Sequence, residues 1–320
     1  LDKQGIEFFG VSDINEAIMM RKLKIKKSIL MLENALPNYA PYLVDYNITP
    51  VVCTLELARA LNRLGQKRKK KISIHVKIDT GMGRLGVWQD EALDFIKMIK
   101  RFAWLKIEGL CTHFPVAETD VPFTNEQIKM MLDVVQNVRA QGVPIPFVHV
   151  ANSLGLSEYH HPSLNLARTG LMLYGLYPSP AVWSKIKLKP LMSVKARVCF
   201  VKHVFQGRKI SYGHTFIAPK NMRMATVSIG YSDGYLRVFS NKSFVLVRGI
   251  RCPVVGNVTM DQIMVDVTNV SGVKVGDEVC ILGRQGKGTI SADELAQIAG
   301  TINYEITCHL GNRLVRVWKR

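Results

Sequence analysis

The chain lacks any uninterrupted apolar run approaching the roughly 18 residues that a membrane-spanning helix needs. Its opening, LDKQGIEFFG, has no basic stretch leading into an apolar one. Neither a membrane span nor an export signal is expected, and the protein is read as cytoplasmic. It also lacks a C-x-x-C pair. Cys53, Cys111, Cys199, Cys252, Cys280 and Cys308 are scattered, so neither a zinc site nor a disulfide framework is signalled, and the thiols are read as reduced. Acidic residues are scarce, 25 against 43 Lys and Arg, for a formal charge of +18. Such a balance suits polyanions in general. The densest basic run, QKRKKK at 66–71, has no interleaved aromatics for base stacking and reads as a solvated loop, so neither nucleic acid nor membrane is expected as a partner. An initiator methionine is missing too: the chain begins at Leu1 and is read as a fragment or a processed product.

What is present is a β/α alternation. Strand-like runs at 8–11, 28–32, 50–53, 72–78, 105–111, 147–151 and 164–168 are separated by helix-period segments. SDINEAIMMRK offers Ser12 or Asp13 as a cap with Glu16 closing a capping box, and TLELARALNRLG is expected to start at Thr54 and stop at Gly65. Seven such units are one short of a parallel (β/α)8 TIM-like barrel, with the first βα unit expected to lie before Leu1; a doubly wound sheet is the competing architecture. After Pro178 the texture changes to strands with glycine-rich turns and one short helix, SADELAQIAG, capped by Ser291 and stopped by Gly300. The division expected is an α/β barrel over 1–185 and a mainly-β domain over 186–320.

KIDTGMGRLG contains a literal G-x-G-x-x-G at Gly81, Gly83 and Gly86, with Glu108 downstream where a dinucleotide fingerprint wants an acid. That fingerprint belongs in the first βα turn, however, and here it follows the fourth strand run, with Arg84 where backbone must approach pyrophosphate. Barrel enzymes collect their chemistry where strands end. This selects Lys77, Asp79 and Arg84, then His113, then Asn152 and Ser153, then Arg168 with Gly170. The Thr-Gly turn in ARTGLMLYGL would aim the N–H groups of Gly170 and Leu171 at an anion, with Ser153 adding a hydroxyl, which suits a phosphorylated ligand. In the β region, Tyr212, Tyr231 and Asp261 stand beside glycines at turns.

KIDTGMGRLG, THF, HVANS, ARTGLMLYGL, SYGHTF, IGYSDGY, NVTMDQ and NYE, in that order, resemble the signature of the alanine racemases, pyridoxal 5′-phosphate enzymes with an α/β barrel followed by a β domain. The resemblance runs through essentially the whole chain. It implies interconversion of L- and D-alanine for peptidoglycan supply, by a two-base mechanism, in a homodimer whose sites are shared between subunits. Ser153, Asn152, Gly170, Leu171 and Tyr304 would hold the cofactor, and Arg168 would face its ring nitrogen. Tyr212 would be one of the two acid/base groups, supported by His113 and Arg168, and Arg84 would orient the substrate carboxylate. Lys77, a possible carbamylation site, would brace Arg84, while Met260, Asp261 and Tyr231 would shape the pocket. The family's Schiff-base lysine, in a segment like K-A-[DN]-A-Y-G-H-G, is not found in the 320 residues. The chain alone is therefore expected to be inactive and to lack roughly 50 preceding residues. The alternatives are a racemase of serine or another amino acid, or a truncated, non-catalytic cofactor-binding or assembly module.

Overall fold

The computed structural model describes residues 4–179, 186–311 and 313–318. Two compact units form, Leu1–Met172 with Tyr177–Ile186, and Leu173–Leu176 with Lys187–Arg320. The boundary expected at residue 185 falls within 180–185, outside the described residues.

In the first unit β1 (Phe8–Val11), β2 (Ser28–Asn34), β3 (Thr49–Val52), β4 (Ile72–Asp79), β5 (Val87–Trp88), β6 (Leu105–Cys111) and β7 (Phe147–His149) form one parallel sheet in the order β1-β2-β3-β4-β6-β7, with β5 added beside β4. Between them run α1 (Ile14–Lys22), α2 (Ala40–Asp45), α3 (Leu55–Arg68), α4 (Ala92–Lys100), α5 (Val121–Ala140) and α6 (Ser153–Glu158). The period-two pattern of β4 explains the layering. Ile72, Ile74, Val76 and Ile78 join the helix-covered core, which leaves Ser73, His75, Lys77 and Asp79 to the opposite, inner face. The sheet curls, because Phe8 on β1 meets Phe147 on β7 edge to face at 5.1 Å, with His75 stacked on Phe147. The hydrogen-bonded path does not return from β7 to β1, so among the described residues this is a curled, barrel-like parallel sheet.

Two sequence expectations are corrected. The run at 164–168 is not a strand: Asn165 N donates to Val148 O and Arg168 N to Ala151 O, three residues apart, whereas a ladder needs alternate residues. The Asn165 side chain takes the remaining backbone groups instead, accepting from Val148 N and donating to Pro146 O. Helix α3 does not stop at Gly65. It runs on to Arg68 and ends at Lys69 in the left-handed region (φ 51°), so Gln66, Lys67 and Arg68 are helical rather than loop. Gly65 is there because a Cβ would stand 2.8 Å from Trp104 Cβ and 2.9 Å from Lys70 O.

The second unit contains β8 (Val194–Val204), β9 (Lys209–Ile210), β10 (Phe216–Ile217), β11 (Met222–Val227), β12 (Phe244–Val247), β13 (Ile250–Pro253), β14 (Ile263–Asp266), β15 (Glu278–Gln285) and β16 (Gly288–Ile290). Antiparallel pairing gives the order β13-β12-β15-β8-β11-β14, and an antiparallel bridge between Val254 and Val265 joins the two ends, closing the sheet on itself. Helices α7 (Ala292–Ala299) and α8 (Asn303–Cys308) follow, the first capped by Ser291 Oγ on Glu294 N and ended by Gly300 at φ 71°.

Candidate active site

The glycine turn after β4 is not a helix-opening phosphate loop, because α4 starts only at Ala92 and β5 intervenes. Asp79 Oδ1 accepts from the backbone N–H of Gly81, Met82 and Gly83 at 2.8, 2.9 and 3.2 Å, so the carboxylate fills the nest that pyrophosphate would need. Gly86, at φ 136°, lies so close to the Ile78–Asp79 peptide that a Cβ would approach Asp79 N to 2.7 Å. The turn thus folds back on its own strand. Arg84, at its tip, is exposed and makes no hydrogen bond or ion pair among the described residues.

Arg168 is the hub of the first unit. Its Nη1 donates to His149 Nδ1 (2.6 Å) and His149 O (2.9 Å), and its Nη2 to Thr112 O (2.7 Å), Val150 O (3.0 Å) and His113 Nδ1 (3.3 Å). Nε alone of the three nitrogens has no protein partner among the described residues. Because a guanidinium only donates, the tautomers follow. His149 accepts at Nδ1, carries its proton on Nε2 and donates to His75 Nδ1 at 2.7 Å. His75 then carries its proton on Nε2, which has no hydrogen-bond partner, with the Glu108 carboxylate 3.9 Å away. Burial first and Arg168 second push His75 down to about 4. Burial, then Arg168, Lys77 and Arg84, push His113 down to about 3. His149 is driven well below the usual histidine range for the same reasons. All three rings are neutral at physiological pH.

Lys77 sits at the end of β4, 8% exposed, in register with Cys111 on β6. Burial lowers its pKa most, and Arg168 and Arg84 lower it further. Three cationic side chains therefore converge with few acids to balance them, an environment that favours an anion. Ser153, buried at the start of α6, accepts from Gly170 N at 3.1 Å and keeps its own hydroxyl hydrogen for another acceptor. A Cβ on Gly170 would meet nothing within 4 Å, so the backbone there faces open space. Asn152 Oδ1 is committed to capping α6 through Gly155 N at 2.8 Å. The segment after Gly170 is a single 3-10 turn, Leu171–Tyr174, shorter than the helix expected, with Leu171 buried.

In the second unit three turns are laced together. Asn257 Nδ2 donates to Tyr212 O at 2.7 Å and Ser211 Oγ to Asn257 O at 2.7 Å. Tyr231 N and Ser232 N donate to Thr259 O and Met260 O, both at 3.0 Å, which requires Gly230, whose Cβ would come within 2.2 Å of Met260 O. Tyr212, Tyr231, Met260 and Asp261 thus share one surface, and Tyr212 is 75% exposed on it. Asp261 accepts from Arg313 Nη1 (2.9 Å) and Ser232 Oγ (3.0 Å), contacts that lower its pKa. Tyr304 lies on α8, partly exposed. Sequence reasoning passed over His75, His149 and Arg313; the signal for the first was its place two residues before Lys77 on the same strand face.

The sequence profile of the alanine racemase N-terminal domain matches residues 1–178, and that of the alanine racemase C-terminal domain matches residues 191–318. The chain belongs to the alanine racemase family. It is 40% identical over 320 residues to the alanine racemase of Halothermothrix orenii, covering 100% of this chain and 84% of that one. Among solved structures, the alanine racemase of Clostridium difficile 630 superposes with a TM-score of 0.92 at 33% identity, over 98% of this chain and 82% of that one. The alanine racemase of Bartonella henselae with covalently bound pyridoxal phosphate superposes with a TM-score of 0.84 at 27% identity, over 98% and 86%. The alanine racemase family is one of isomerases.

Proposed function

We propose that this protein supplies the site of a pyridoxal 5′-phosphate-dependent alanine racemase, providing D-alanine for peptidoglycan in the cytoplasm. The observation that carries the reading is the Arg168 hub, five hydrogen bonds fixing a guanidinium beside neutral histidines with one N–H left over. The residues of the first unit fit the cofactor: the Ser153 hydroxyl hydrogen, the open backbone at Gly170 and the N–H of Leu171 suit its phosphate, and the spare Nε–H of Arg168 suits its ring nitrogen. Tyr304 is assigned as a further phosphate ligand by the family resemblance alone. Asn152 acts on the cofactor indirectly, by capping the helix that Ser153 begins.

When bound, pyridoxal phosphate withdraws electrons from the substrate α-carbon and so acidifies its C–H bond. Arg168 keeps its proton even when buried, so it offers the ring nitrogen a hydrogen bond rather than a proton. That restrains electron withdrawal and favours return of the proton to carbon. Tyr212, reaching in from the partner subunit of a homodimer, exchanges the α-proton on one face. A free phenol titrates near 10, so Tyr212 needs donors nearby, and neutral His113 provides its Nε2–H. Arg84, free of protein partners, orients the substrate carboxylate. Met260 and Asp261 wall the pocket and Tyr231 guards its entrance. The lowered pKa of Lys77 raises the share of its amine that is unprotonated, the form that would add carbon dioxide, release a proton and give a carbamate. This turns its repulsion of Arg84 into attraction.

The test is equilibrium binding of pyridoxal phosphate to the 320-residue chain. Binding is expected to depend on the phosphate, to weaken roughly tenfold in Ser153→Ala as one hydrogen bond to a charged group is lost, and to be reversed by dialysis. Equal affinity for unphosphorylated pyridoxal, or displacement by NAD, contradicts the reading.

A further inference from the structure

At the end of the first unit opposite Lys77, His113 and Ser153, the loops that feed the strands carry the molecule's charge imbalance. Residues 4–7, 21–27, 45–48, 67–71, 97–106 and 139–146 hold fifteen Lys and Arg against two acids, Glu7 and Asp45, and Lys97 is paired with Asp94 at 2.9 Å. Glu33, Asp79, Asp90, Glu118 and Asp120 lie at the other end. Hydrogen bonds stitch these loops into one surface. Arg21 donates to Ile25 O, Lys27 O, Tyr46 O and Asn47 O; Arg68 pairs with Asp45 at 2.9 Å; Lys70 reaches Asn47 Oδ1 at 2.9 Å; and Lys100 reaches Gln141 O at 2.9 Å.

These bonds use Arg21 and Arg68, with Lys70 and Lys100, as staples and leave other lysines facing solvent. Lys22, Lys24, Lys26, Lys67, Lys69 and Lys71 are exposed and have no partner among the described residues. Lysines are hydrated point charges suited to a diffuse anionic surface, whereas arginine is the residue for planar, bidentate readout of phosphates and bases. Within these loops Leu23, in the run RKLKIKK, is the most exposed large hydrophobic residue at 71%, against 38% for Met98, and Met19, one helical turn before Leu23 on α1, is 59% accessible. Lysines around an exposed apolar pair can hold it against an anionic lipid surface, the charges supplying the attraction.

We propose that this basic end of the first unit is a peripheral docking surface for an anionic phospholipid bilayer, with Met19 and Leu23 entering the headgroup layer. No described helix is long and apolar enough to cross a bilayer, so the contact is a surface one. It revises the expectation that the run at 66–71 is merely solvated, and it does not rest on the racemase reading.

The experiment is co-sedimentation of the chain with phosphatidylcholine vesicles with and without phosphatidylglycerol, at physiological ionic strength and again at high salt. Binding to the phosphatidylglycerol vesicles alone, weakening with salt, is expected. The combined variant Lys67→Gln, Lys69→Gln, Lys70→Gln, Lys71→Gln should bind at least a hundredfold more weakly, each surface lysine contributing on the order of fivefold. The charge-matched variant Lys202→Gln, Lys220→Gln, Lys242→Gln, Lys287→Gln should bind as the parent does. Leu23→Ser should lower the binding that survives high salt. Equal loss in both quadruple variants, no effect of Leu23→Ser, or tighter binding to duplex DNA than to the anionic vesicles overturns the proposal. Unchanged thermal midpoints in all variants exclude misfolding as the cause.

Discussion

His75, His113 and His149 stay neutral because burial and the guanidinium of Arg168 penalise their charged forms, and this has a cost in acid. A histidine whose folded pKa lies below its unfolded value contributes stability that is present above the unfolded pKa. As pH falls below that value the unfolded chain takes up the proton first, so stability is lost until the folded pKa is reached. For His75 the window runs from 6.5 down to about 4 and corresponds to about 3 kcal/mol. His75→Gln, which does not titrate, should flatten this part of the stability curve measured by urea unfolding. An unaltered acid limb would show that the ring is not buried neutral. Tyr212 gives the second residue-scale prediction. In a chain extended ahead of Leu1 by a segment like K-A-[DN]-A-Y-G-H-G, Tyr212→Phe should slow proton exchange on one face of alanine and leave the dissociation constant of pyridoxal phosphate unchanged. Equal exchange rates in both proteins remove Tyr212 from its role.

At the scale of elements, one position reverses the usual sign of a substitution. Gly→Ala within a helix ordinarily stabilises by up to about 1 kcal/mol, but in α3 the added methyl at Gly65 would press on Trp104 and Lys70 O. Overpacking of that kind costs about 1–3 kcal/mol, so Gly65→Ala should lower the urea midpoint, and a rise would contradict the close approach. Asn165 replaces a missing strand. Its side chain satisfies Val148 N and Pro146 O, and Asn165→Ala should destabilise by roughly 1–3 kcal/mol through the unpaired groups it leaves. Faster hydrogen exchange at the Val148 amide than in the parent is the accompanying signature. Both features escaped the sequence for the same reason: a glycine reads as a stop and LNLAR as a strand until the neighbour that overrides local preference is in place.

For the molecule as a whole, the parallel α/β region followed by a mainly-β region and six strands of the curled sheet were legible, because apolar runs bounded by turn residues carry that information locally. Lys77 and Ser153 were picked out by their places at or just after strand runs, whereas Arg168 was picked out as the end of a run that is not a strand. The inner row was not. His75 and His149 look like interruptions of apolar strands until parallel registry sets β4 beside β6 and β6 beside β7, which brings His75 Nδ1 within 2.7 Å of His149 Nε2. Gly109 shows the same dependence, since a Cβ there would lie 2.5 Å from His75 Nδ1. The basic end likewise arises from αβ loops distant in sequence meeting at one edge. Under the proposed function these 320 residues hold the phosphate, ring-nitrogen and tyrosine parts of an alanine racemase site, which the family's Schiff-base lysine would complete. Chiral chromatography of L-alanine incubated with pyridoxal phosphate tests it most directly, comparing the chain alone with the chain extended by the lysine-bearing segment. D-Alanine is expected from the extended chain only; equal formation by both, or none by either, would contradict the account.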